Sequence, residues 1–110
     1  MKLPNCEKAV ISRKKLTYYI LSETHSTGKF KAKIFRKLGF DENNVTLFEK
    51  ALHKIAESEN VTDIQTSKYG TKYVLNGKIN APFGRTIRVK TIWIIEKGQK
   101  NPRFITVYPV

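Results

Sequence analysis

Cysteine is nearly absent from this chain: one in 110 residues, Cys6. A lone thiol cannot form an internal disulfide, so nothing points to an oxidising compartment. Histidine is scarce too, with His25 and His53 alone, and no HxxxH or CxxC spacing occurs. That excludes a structural zinc site of the usual kind. Long apolar runs are missing. The longest, Ile92-Trp93-Ile94-Ile95, is strand length and far below the roughly 20 residues of a membrane helix. The N-terminus has no signal-peptide core, so a soluble, cytoplasmic protein is expected, with no membrane partner. There is no repeat, no low-complexity tract, no Walker loop and no dinucleotide fingerprint.

Acid is the last scarcity. Nine Asp/Glu face 21 Lys/Arg, for a net charge of +12. The imbalance is uneven. Residues 1–37 carry ten bases and two acids, residues 38–64 two bases and six acids, and residues 65–110 nine bases and one acid. Two basic thirds flank an acidic middle. If the basic thirds meet in space, they form a positive surface that attracts a polyanion or an acidic protein.

The length and the 40% apolar content predict one folded domain spanning 1–110. Residues 7–11 read as a short strand or an extended lead-in. Ser12 is a good N-cap, and Leu16, Tyr19 and Ile20 predict a helix over about 12–21. "SETHSTG" reads as loop. Phe30, Ile34, Phe35 and Leu38 predict a second helix over 29–38, closed by Gly39. Asp41 is the expected cap of a third helix over about 43–58, with Val45, Phe48, Leu52 and Ile55 on one face. After Asn60 the period changes from about 3.6 to 2. Four strands follow, with turns at Ser67–Gly70, at "NAPFG" and at "GQKNP". Ile87, Val89, Thr91, Trp93 and Ile95 share one side of the third strand. Phe104, Thr106 and Tyr108 are expected to share one side of the fourth. The result is an α+β domain, with N-terminal helices (about 12–58) packed on one face of a four-stranded antiparallel sheet (about 61–109).

The acids lie mostly on one helix and its flanks, so a carboxylate pair holding magnesium in a basic cleft is not expected. No metal and no cofactor is implied. Histidine, lysine, arginine, threonine and tyrosine remain. That set suits cleavage of RNA without metal. A base takes the 2′-hydroxyl proton, an acid protonates the leaving 5′-oxygen, and cations hold the phosphorane charge. DNA lacks the 2′-hydroxyl, so such a site points to RNA. His25 stands in the loop before a helix start, with Gly28 beside it, and is the candidate for proton transfer. Lys29 and Lys33, four residues apart, share a helix face and are candidate phosphate contacts. Arg88 adds another cation on the basic end of the third strand. His53 reads as structural.

Several stretches together resemble a small bacterial domain family of unknown function. They are "KLTYYILSETHSTGKFKAKIFRKLGF", "YGTKYVLNGKI", "GRTIRVKTIWII" and "PRFITVYP", covering about residues 9–109. That family in turn is similar to the barnase–EndoU–colicin–RelE class of ribonuclease toxins, many held by an immunity protein or antitoxin. The resemblance implies catalytic roles for His25, Lys31, Thr106 and Tyr108. It implies substrate contacts for Arg85, Thr91 and Trp93. It also implies a small acidic antitoxin or immunity partner. The family often has proline after the histidine, where this chain has Ser26, which bears on loop shape. Spacing favours Lys29 with Lys33, whereas the motif favours Lys31. For motif and apolar stripe both to hold, Lys31 must face a cleft while Phe30 and Ile34 face the core. The initial methionine and the complete motif lead to the expectation of a free-standing protein. The expected function is a metal-independent endoribonuclease of a toxin–antitoxin or toxin–immunity pair. The alternative is a non-catalytic RNA- or protein-binding module on the same fold.

Overall fold

The computed structural model describes residues 1–22 and 29–110. Helix α1 (Arg13–Lys15) starts at the expected cap, where Ser12 Oγ accepts from the Lys15 N–H at 3.3 Å. It continues as a π-helical turn, Leu16–Ile20, in which the Leu21 N–H donates to Leu16 O at 2.9 Å. Leu16, Ile20 and Leu21 are buried, while Tyr19 turns outward.

Helix α2 (Lys29–Lys37) buries Ala32 and Phe35, and Leu38 just after it is buried too. This corrects the expected stripe. Phe30 is 71% exposed and Ile34 42% exposed, so the core-facing row runs one helical step away from them. Gly39 closes the helix at φ 103°, a conformation that favours glycine, and the Phe40 N–H donates back to Phe35 O at 3.1 Å. Asp41 does not cap α3. It belongs to a turn in which Asp41 N–H donates to Asn44 Oδ1 and Asn43 N–H to Asp41 Oδ1, both at 2.8 Å. Helix α3 (Val45–Ser58) follows, with Phe48, Leu52, Ile55 and Ala56 buried. Phe48 joins the helices by ring contacts to Phe35 (5.1 Å) and Phe40 (4.6 Å).

Strands β1 (Val61–Ser67), β2 (Gly70–Asn80), β3 (Thr86–Glu96) and β4 (Arg103–Pro109) form one antiparallel sheet in sequence order. Leu75, Ile79, Val89, Trp93, Phe104 and Val107 join the helices in one core. Gly77 lets α3 approach β2, for a Cβ there would lie 2.8 Å from Ile55 Cγ1. The N-terminal segment differs from the expected strand or lead-in. It makes a 3-10 turn at Cys6–Lys8 and then a parallel bridge from Val10 to Arg103 on the outer edge of β4.

One irregularity decides what β4 presents. Trp93 pairs with Phe104, but Ile92 pairs with Thr106, so Ile105 is an inserted residue. This bulge reverses the alternation within the strand. Phe104 faces the core, 5.4 Å from the Trp93 ring in an edge contact. Thr106 and Tyr108 lie on the opposite side from buried Val107. The expectation that Phe104, Thr106 and Tyr108 share one side is therefore corrected.

Candidate functional site

β4 is an edge strand, and α2 comes alongside it. Lys31, in the first turn of α2, points toward that edge rather than into the row of Ala32 and Phe35. Its Nζ donates to Thr106 Oγ1 at 3.0 Å and sits 4.1 Å from the centre of the Tyr108 ring. Two distant parts of the chain, α2 and β4, thus meet through these three residues. The ammonium over the ring face is a cation–π contact.

The three line a cleft of about 600 Å³ together with Lys15, Tyr19, Ile20 and Ile105. Lys15 and Tyr19 come from the first helix and its π turn, four residues apart. Neither was expected from the sequence at this site. Their signal was present as a cation and an aromatic at helical spacing on the opening helix. The described lining contains no carboxylate. Burial, and then the charge of Lys15, hold the Lys31 ammonium below its ordinary range. Burial, and then Arg103, do the same to Lys15.

Three acids are engaged with arginines. Glu49 pairs with Arg13 at 2.8 Å, Glu42 with Arg36, and Glu96 with Arg103 at 2.9 Å. The hydrogen bond from Arg36 holds Glu42 below the usual carboxylate range. Arg36 Nε also donates to Leu21 O at 2.7 Å, tying α2 to the end of the π turn. The acidic middle of the chain therefore anchors two arginines of the first third, and two lysines of that third, Lys15 and Lys31, line the cleft. Among the described residues, no group of three or more His, Cys, Asp or Glu is placed to hold a metal ion.

The remaining candidates are scattered. His25 lies outside the described residues. Lys29 opens α2, two residues before Lys31, and Lys33 is exposed on that helix away from the described cleft lining. Arg85 borders a shallow hollow with Ile34, Lys37 and Leu38. Arg88 borders a second hollow between α3 and the β2–β3 hairpin. Thr91 and Trp93 are corrected outright as substrate contacts, since both are 0% exposed. Thr91 Oγ1 donates to Leu75 O at 2.8 Å and accepts from Trp93 Nε1 at 2.9 Å. The pair buries a large ring with its N–H satisfied, which is a packing role.

No helix is long and apolar enough to cross a membrane among the described residues. No curated protein sequence matches this chain. One chain of a contact-dependent growth inhibition toxin–immunity protein complex from Klebsiella pneumoniae 342 shares the fold. Its TM-score is 0.74 at 20% sequence identity, over 96% of each chain. The family model described as domain of unknown function DUF6883 matches residues 2–110, and the chain belongs to that family.

Proposed function

We propose that this protein is the toxin of a toxin–immunity pair and acts as a metal-independent endoribonuclease of the barnase–EndoU–colicin–RelE type. The observation that carries the reading is the meeting of Lys31, Thr106 and Tyr108 in a basic cleft whose described lining has no acid. The shared fold with a chain of a toxin–immunity complex supports the pairing, and the +12 charge suits the half that meets a polyanion.

The reaction is attack of the RNA 2′-oxygen on the adjacent phosphorus. An O2′–P bond forms, the P–O5′ bond breaks, and a cyclic phosphate and a 5′-hydroxyl result. His25, six residues before Lys31 in the chain, takes the 2′-hydroxyl proton. Lys31 holds the charge that builds on the phosphorane oxygens, helped by the Thr106 hydroxyl. Tyr108 lies against Lys31 and donates its phenolic proton to the departing 5′-oxygen. A partially desolvated ammonium acts more strongly on that charge than one in bulk water. Arg88, Arg85, Lys29 and Lys33 add to the net positive field that draws RNA to the protein, and the neutralising partner is a small acidic protein over the cleft.

The test is cleavage of RNA with EDTA present. Wild type cleaves. His25→Ala and Lys31→Met each lose about a hundredfold or more. Full cleavage by His25→Ala would remove the mechanism. Salt-sensitive binding with no cleavage by wild type would favour a non-catalytic RNA-binding module instead.

A further inference from the structure

The proposed reaction leaves two polar residues of the cleft lining unused, Lys15 and Tyr19. Each lysine of the cleft is partly withdrawn from water, and each stands in the field of another cation. Both effects oppose the charged state. Such a cluster can be relieved by a carboxylate, by loss of a proton, or by an anion from outside. The described lining offers no carboxylate, and Glu42, Glu49 and Glu96 are held by arginines. The cleft is open enough to admit a ligand of nucleotide size, at about 600 Å³. Two rings flank the cations, Tyr19 at 52% exposure and Tyr108 at 41%. A bare phosphate has no use for aromatic faces, whereas unpaired bases stack on them.

We propose that Lys15 is a second phosphate-binding residue of this cleft, and that the cleft takes the backbone of single-stranded RNA with a base against Tyr19. Lys15 and Lys31 then hold successive parts of one backbone from two different helices. The choice of RNA rests on the ribonuclease reading, but the anion site does not.

The experiment measures fluorescence anisotropy of a labelled 2′-O-methyl RNA of about eight nucleotides, which cannot be cleaved through its 2′-oxygen. Salt is varied between about 50 and 200 mM. Lys15→Met is expected to weaken binding about tenfold and to flatten the log–log salt slope by about 0.7. Lys15→Arg keeps most of the affinity. Tyr19→Leu weakens binding several-fold without changing the slope. Lys97→Met, in the exposed turn after β3, is the control for loss of one charge elsewhere. Thermal unfolding of each variant shows whether it is folded. The inference is overturned if Lys15→Met behaves like Lys97→Met, or if duplex RNA competes as well as single strands. Cleavage of unmodified RNA is followed in parallel. Binding lost in Lys15→Met, with no cleavage by wild type, would sink the ribonuclease reading and leave the Lys15 site standing.

Discussion

Two hollows of this molecule have the same size and the same sign of charge, yet they differ in kind. One is the cleft of Lys15, Lys31, Thr106 and Tyr108 at the β4 edge. The other lies between α3 and the β2–β3 hairpin, lined by Lys54, Lys78 and Arg88. Each is about 600 Å³. The second carries its own carboxylate, Glu59, and its floor is Gly77 against Ile55. The first has no acid in its described lining. Its lysines are partly desolvated, and one is fixed by a hydroxyl and a ring. Concavity and positive charge alone thus do not single out a site. Cations that are enclosed, oriented and left without an internal counter-ion do.

The sharpest way to break this contrast is to remove one cation from each hollow. Lys31→Met should lower RNA cleavage about a hundredfold or more, and Arg88→Met by no more than about threefold. Equal losses would mean that the hollows are one binding surface.

Gly77→Ala probes the second hollow as architecture. A methyl group there pushes on buried Ile55, so unfolding should become easier by about 1–3 kcal/mol in denaturant titration. Cleavage by the folded fraction should be unchanged.

The third test uses pH. Folded Lys31 releases its proton below the ordinary 10.5, whereas the unfolded side chain holds it up to that value. Between the two points the unfolded chain binds more protons, so stability contributed at this site rises with pH. The Tm of wild type relative to Lys31→Met should therefore climb as pH approaches 10.5. A flat difference would mean that the ammonium is not penalised.

The smallest effect belongs to Arg103→Gln. Its ion pair with Glu96 is half exposed on both sides, so stability should change by about 1 kcal/mol or less. Its informative readout is Lys15, whose NMR-monitored pKa should rise once the neighbouring guanidinium is gone.

Much of the fold was legible in the sequence because period and turn chemistry are local. The three helices, the four strands, the Ser12 cap, the Gly39 stop and the Ser67–Gly70 turn follow from spacing and residue type. What failed was set by tertiary packing. The apolar row of α2 was misplaced because Phe30 and Ile34 are as apolar as Phe35, and the sequence pattern cannot say which of them meets Phe48. The π turn and the Ile105 bulge each insert a residue into a regular count, and neither insertion has a compositional signature. Thr91 and Trp93 show that a resemblance preserves packing residues as faithfully as working ones. Lys31, Thr106 and Tyr108 came from the resemblance rather than from spacing, which had favoured Lys29 and Lys33. Tyr19 stands at helical spacing with Leu16 and Ile20 and so reads as core, yet it is half exposed at the cleft, and Lys15 carries no spacing signal toward β4.

The inserted Ile105 works as a phase setting for the last strand. Upstream of it, the row facing the helices is written by Phe104. Downstream, the same parity of residue numbers writes the row that carries Thr106 and Tyr108. Drawing Ile105 into the ladder opposite Ile92 would exchange the two rows beyond that point, sending a threonine and a tyrosine toward the core and Val107 toward the cleft. Deleting it would leave Phe104 and Val107 inside and Thr106 and Tyr108 outside, now in plain alternation. The bulge therefore costs the strand a residue of pairing and keeps its chemistry on the open side.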